Sequence, residues 1–128
     1  MKAFIEFGLL TTKEGFIMSD PKYTFCPEGI RHIDGYVLPS DEPIMVFRGK
    51  DIGSLEAILA YLEMLEDQEQ NEVIVSHYVS SIERLRAFYE YQRDNPYLQS
   101  IGCSRSAHID YSYIMVKARK KLDEIDEL

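Results

Sequence analysis

The side chains best suited to hold a ligand gather where a helical run ends: Arg93 and Asn95, then Arg105, with Tyr91 and Tyr97 adjacent and further tyrosines at Tyr78, Tyr111 and Tyr113. A guanidinium and a phenol ring together can stack on a nucleobase and hold a phosphate by paired hydrogen bonds. Tyrosines at helical spacing also serve as half-buried core with the hydroxyl at the rim, and that reading stands beside the binding one. Other constellations offer less. His32, His77 and His108 lie in three segments, none at helical i, i+4 spacing from another His, Asp or Cys, so no metal site is expected. Cys103 within Gly102-Cys103-Ser104 has neither an elbow strand nor a fixed base, which favours an inert thiol over a nucleophile. Glu56, Glu63 and Glu66 read as the solvated face of a helix rather than as paired catalytic carboxylates. The stretch Gly49-Lys50-Asp51-Ile52-Gly53-Ser54 has small residues before a helix but neither P-loop nor dinucleotide spacing. Arg48 and Lys50 flank that helix N-terminus, whose free N–H groups attract anions. Asp51 competes for the same donors, and the plain alternative is a capped helix with Arg48 paired to an acid such as Glu42. No catalytic residue is assigned and no cofactor is expected.

A small fold must position these groups. A chain of 128 residues with 45% hydrophobic content supports one core, and one domain over residues 1–128 is expected. Fourteen basic residues against 22 acidic ones give a net charge of -8. Such a field repels nucleic acid and anionic membrane, so neither is an expected direct partner, and any anionic ligand must be met by a local group of arginines. Two distant cysteines, Cys26 and Cys103, suit a reducing compartment. Glu6 interrupts the first apolar run, and no run is long enough to cross a bilayer. A soluble cytoplasmic protein is the expectation.

Residues 3–10 and 16–18, separated by Thr11-Thr12-Lys13-Glu14-Gly15, look like a hairpin. A competing reading treats Lys13-Glu14-Gly15 as the translation of a purine-rich ribosome-binding site upstream of a natural start at Met18, making residues 1–17 a leader. Turn signals then separate short β-rich stretches at 23–26, 30–33 and 36–38, an antiparallel meander. Residues 44–48 read as a strand with apolar side chains on both faces, Ile44 and Val46 against Met45 and Phe47. Asp51 offers an N-cap to a helix over 52–66, with Leu55, Ile58, Leu59, Leu62 and Leu65 on its buried stripe. Ala57, Tyr61 and Met64 form a second apolar strip that calls for another helix or a second subunit. An acidic connection over 67–72 leads to a second helix, from 72 or 73 to about 93, burying Ile74, Tyr78, Ile82, Leu85 and Phe88 or Tyr89. Pro96 ends it by driving Asn95 out of the α region. Residues 107–128 make a C-terminal helical extension carrying Tyr111, Ile114, Met115, Ala118, Leu122 and Ile125, with a strand over 108–116 as the alternative. The fold class is α+β: an N-terminal antiparallel β meander packed on a C-terminal helical hairpin, with a third C-terminal helix.

The run Ser40-Asp41-Glu42-Pro43-Ile44-Met45-Val46-Phe47-Arg48-Gly49-Lys50-Asp51, after a small meander and before a hairpin closing on Asn95-Pro96, resembles a group of small phage and prophage proteins. In that group an Asp-Glu-Pro, an apolar strand, an Arg and an Asp lead into the first helix. The resemblance covers residues 23–96, 74 of the chain's 128. In layout the chain is also similar to phage anti-Thoeris sponge proteins, which hold a cyclic ADP-ribose signal without degrading it. That likeness implies an anti-defence protein, a homo-oligomer in the host cytoplasm, that sequesters a small cyclic nucleotide or ADP-ribose-derived signal. Arg48, Tyr78 and Arg105 are the first positions it points to, with Arg93 and Asn95 beside them. The alternative from another class is an acidic interaction module, anti-CRISPR-like, that blocks a host nucleic-acid-binding defence complex. An enzyme ranks third, because no acid, base or metal constellation assembles.

Overall fold

The computed structural model describes residues 10–11, 17–18, 22–102 and 112–127. The order of elements is α+β, as expected: antiparallel strands first, then a helical hairpin and a third helix. The chain divides into two compact units, Met1–Val46 and Phe47–Leu128.

In the first unit, β1 (Leu10–Thr11) pairs antiparallel with β2 (Ile17–Met18), the part of the expected N-terminal hairpin that falls among the described residues. Strand β3 (Tyr23–Cys26) pairs antiparallel with β4 (Gly29–His32), from Tyr23 opposite His32 to Cys26 opposite Gly29. Gly29 turns this hairpin at φ 136°, a conformation that side chains with a Cβ rarely adopt. The third strand expected over 36–38 is reduced to one antiparallel bridge from Val37 to Arg31. Its course is fixed by the His32 ring, which stacks on Tyr36 at 4.8 Å and meets the edge of Tyr23 at 5.3 Å. His32 Nδ1 accepts the Asp34 N–H at 3.1 Å, so this histidine builds the turn.

In the second unit, α1 (Ile52–Glu66) starts where Asp51 leaves the helical region at ψ 114° and its carboxylate accepts the Gly53 N–H at 2.9 Å. Leu55, Leu59, Leu62 and Leu65 are buried as their spacing predicts. The Gln68 and Gln70 side chains then donate to the Met64 and Leu65 carbonyls, the latter also accepting the Gln68 N–H, and close the helix end. Asn71 caps α2 (Glu72–Asp94) by accepting from Val73 and Ile74 N–H at 2.9 and 3.0 Å. Pro96 ends α2 and opens a single 3₁₀ turn, Pro96–Leu98. The third helix, α3 (Ser112–Asp126), sets Ile114, Ala118 and Leu122 into the core formed by Ile52, Leu55, Leu59, Leu62, Leu85 and Tyr89. Residues 112–116 are thus helical, and the strand alternative does not hold there.

One expected element is absent. Residues 44–48 form neither strand nor helix, and Ile44, Met45, Val46 and Phe47 are exposed. A strand is a property of a pair, and no described strand lies beside this one to accept its hydrogen bonds. β-propensity alone does not make a ladder.

Candidate functional site

Three clusters of polar side chains stand out in the helical unit. The first is a buried junction at the start of α1. Asp51 Oδ1 accepts from both Gly53 N–H and, 51 residues away in sequence, Gly102 N–H at 3.1 Å. Its backbone carbonyl accepts from Ser54 Oγ at 2.6 Å and from Gln92 Nε2 at 3.0 Å. Gln92 in turn accepts from Gln99 Nε2 at 3.1 Å. The backbone of Ser100 runs parallel to that of Asp51, accepting from Ile52 N–H and donating to Lys50 C=O. Thus the end of α2 and the segment after it are stitched to the turn that begins α1. Gly49 belongs to the same join, since a Cβ there would stand 3.4 Å from the Tyr91 ring.

Within this junction the Ser100 hydroxyl is buried without a hydrogen-bond partner. Burying an unpaired hydroxyl is unfavourable by about 1–3 kcal/mol. Ser100→Ala is therefore expected to raise stability by roughly 1 kcal/mol, read as a higher denaturation midpoint at unchanged slope. A loss of stability would mean that the hydroxyl has a partner in solution.

The second cluster ties the three helices at the other end of the hairpin. Glu66 of α1 accepts from the Tyr78 hydroxyl of α2 and from Lys121 of α3, each at 2.5 Å. The Lys121 and Tyr78 hydrogen bonds hold the Glu66 carboxyl below the ordinary glutamate range. Burial, with the bond to Glu66, pushes the Tyr78 hydroxyl up. Burial, the largest single influence on Lys121, works against its charge, but the Glu66 bond together with the nearby Tyr78, Glu66 and Glu124 holds the ammonium above its usual range. A carboxylate whose pKa is depressed by folding stabilises the fold above its unfolded value and ceases to do so as pH falls through the folded one. Glu66→Gln is expected to flatten part of the acid limb of the stability–pH curve and to lower stability near neutrality by about 1 kcal/mol. An acid limb unchanged in the variant would show that Glu66 is not titrating against these partners.

The third is a groove of about 130 Å³ between α2 and α3, where Arg86, Tyr89 and Arg93 face Arg119, Asp123 and Asp126. Arg86 makes a two-pronged bond to Asp126 at 2.7 and 3.2 Å, raising its own pKa and lowering that of Asp126. Arg119 pairs with Asp123 at 3.3 Å, and the nearby Tyr89 hydroxyl and Asp123 raise its pKa. Arg93 pairs with its neighbour Asp94 at 2.9 Å, which pulls the Asp94 carboxyl down. Glu90, Asp123 and Asp126 balance the three arginines that line the groove.

The residues singled out from the sequence do not all converge. Arg48 is exposed, and its neighbour Gly49 approaches Tyr91, so it sits at the end of α2 that also carries Arg93 and Asn95. The Asn95 amide is spent on the Tyr91 carbonyl at 2.8 Å. Tyr78 stands 15 residues before Arg93 on the same helix, roughly 22 Å along its axis at 1.5 Å per residue. Within one chain a small ligand does not span them. Arg105 lies outside the described residues, as do Cys103 and His108. No group of His, Cys, Asp or Glu among the described residues is arranged to hold a metal ion. Among the described residues no helix is long and apolar enough to cross a membrane.

The sequence reading missed Gln92, Ser81 and Ser100, polar residues buried in the core. Glu66 is exposed, as expected of the outer helix face, but is engaged there by Tyr78 and Lys121. Polar type points Gln92, Ser81 and Ser100 outward, but Ser81 and Gln92 both fall on the stripe of Leu85 and Tyr89 and so carry a signal to the contrary. No protein-family model, curated protein or solved structure matches the chain.

Proposed function

We propose that this chain is a non-catalytic interaction module whose helical hairpin engages a basic partner surface. One observation carries this reading. From Asp51 to Glu83, a span that contains α1 and the first half of α2, there are eight acidic residues and no lysine or arginine. The remaining 14 acids and 14 bases cancel, so the net charge of -8 belongs wholly to this hairpin. At its turn, Glu63, Asp67, Glu69 and Glu72 are exposed and carry no ion pair among the described residues, and Met64, Val73 and Val75 in the same stretch are exposed too. A one-sign field with apolar contacts at its centre steers and holds a cationic protein surface, and repels nucleic acid. The resemblance to small phage proteins supplies the partner class: a nucleic-acid-binding complex of host defence, whose basic groove this hairpin occupies in place of nucleic acid. The test is displacement of duplex DNA from a purified basic DNA-binding domain, followed by fluorescence anisotropy. Displacement that weakens steeply with salt and is lost when Glu63, Asp67, Glu69 and Glu72 are changed to their amides supports the reading. Displacement that survives those changes overturns it.

The second reading, sequestration of a cyclic nucleotide or ADP-ribose-derived signal without cleavage, has one specific point in its favour. Arg86, Arg93 and Arg119 converge on one groove, and their carboxylate partners are largely exposed and therefore displaceable by a phosphate. A thermal shift with cyclic ADP-ribose, followed by recovery of the intact ligand, is the expected result. No shift removes it.

A further inference from the structure

We propose that residues 42–48 pair with the same residues of a second copy, as an antiparallel two-stranded ladder centred on Met45. The inference is independent of what the acidic hairpin binds.

The run is apolar and open to solvent: Ile44 is 53% exposed, Met45 78%, Val46 74% and Phe47 37%. The backbone N–H groups of residues 44–48 have no backbone partner among the described residues. At the ends of the run the Glu42 N–H donates to Pro39 C=O at 3.2 Å and the Arg48 C=O accepts from Asp51 N–H at 3.0 Å. The outer Glu42–Arg48 pair therefore contributes its side chains, and the backbone rungs come from Ile44 and Val46. Four consecutive β-forming side chains with free donors and acceptors are a template for strand addition. What selects a second copy as the added strand is that the run is its own antiparallel complement. A two-fold axis relating two antiparallel strands must pass through a pair of identical residues, because hydrogen-bonded and non-hydrogen-bonded pairs alternate. With the axis at Met45, Ile44 lies opposite Val46, Pro43 opposite Phe47, and Glu42 opposite Arg48. Side chains alternate across a ladder. One face therefore reads Glu42, Ile44, Val46, Arg48, two β-branched pairs closed at each end by opposite charges. The other face reads Pro43, Met45, Phe47 and is wholly apolar.

Proline decides the hydrogen-bond phase. Pro43 has no N–H, so it belongs at a non-hydrogen-bonded pair. That phase makes Met45–Met45 non-hydrogen-bonded too and gives both bonds of each inner pair to Ile44 and Val46, whose donors are free. Shifting the axis by one residue spoils the match. At Ile44 it sets Phe47 against Asp41 and Glu42 against Val46, and at Val46 it sets Ile44 against Arg48. The paired segment has no net charge, since Glu42 and Arg48 cancel.

The register is tested by crosslinking in full-length protein with Cys26 and Cys103 changed to serine. Met45→Cys is expected to oxidise to a disulfide-linked dimer, since a non-hydrogen-bonded pair sets the Cα atoms about 4.5 Å apart, within reach of a disulfide. Ile44→Cys or Val46→Cys alone is expected to crosslink poorly, and a mixture of the two to crosslink well. In native mass measurements, Glu42→Arg or Arg48→Glu alone is expected to weaken the dimer about tenfold by placing like charges opposite each other at both ends, and the double exchange to restore it. A monomer at micromolar concentration, equal crosslinking at all three positions, or no restoration by the double exchange overturns the proposal.

Discussion

Leu85→Ala is expected to destabilise the helical unit by about 2–5 kcal/mol, the largest effect of any single substitution considered for this chain. Leu85 is fully buried in the middle of α2, in the cluster that joins Leu55 and Leu62 of α1 to Ile114 and Leu122 of α3. All three helices lean on it, so truncation leaves a cavity that no single helix can close by shifting. Domains of this size have roughly 5–15 kcal/mol in total, and the variant therefore sits near the edge of folding. The check is urea denaturation followed by far-ultraviolet circular dichroism, which reads the helices. Val79→Ala on the same helix is the control: it removes apolar carbon from an exposed position and is expected to change stability by less than about 0.5 kcal/mol. Equal losses at both positions would show that α2 buries a different face. Leu85→Met, which keeps the volume, is expected to cost less than about 1.5 kcal/mol.

The contrast between Leu85 and Val79 marks what was legible beforehand. Periodicity of 3.6 residues picks Leu55, Leu59, Leu62 and Leu65 for one stripe of α1 and Leu85 for that of α2, because burial of a helix face leaves a repeating trace in the sequence. The ends of the hairpin are legible for the same kind of local reason: Asp51 caps one and Pro96 stops the other. Residues 44–48 were misread because a strand depends on a partner, and partners are not local. The ligand-directed residues fared differently again. Tyr78 and Arg93 share a helix and a chemistry, yet Tyr78 is bound to Glu66 and Arg93 to Asp94. Composition reveals which side chains are able to bind, while the folded chain decides which are already engaged. The acidic hairpin is the converse case. Its charge asymmetry lies in plain view between Asp51 and Glu83, but acquires meaning only when α1 and the first half of α2 fold back on each other and bring those acids together on one hairpin.

Asp51→Ala is expected to cost about 2–4 kcal/mol, more than an ordinary lost cap. A helix N-cap alone is worth about 0.5–2 kcal/mol, and Asp51 supplies that through Gly53. The same oxygen also accepts from Gly102, a residue held at φ 53°, so its removal strands a second, part-buried donor at about 1–3 kcal/mol. Asp51→Asn keeps an oxygen in that place and is expected to lose about 1 kcal/mol or less. The difference between the two variants separates the role of the acceptor from that of the charge. Hydrogen exchange gives the sharper readout. In Asp51→Ala, exchange is expected to quicken at Gly53 and Gly102 together, because one carboxylate oxygen protects both, while the N–H of Ile52, which donates to the Ser100 carbonyl at 2.9 Å, stays protected. Faster exchange at Gly53 alone would mean that Gly102 is held by something else. Loss of protection at Ile52 as well would mean that the carboxylate, rather than the paired backbones of Asp51 and Ser100, is what holds the segment after α2 against the start of α1.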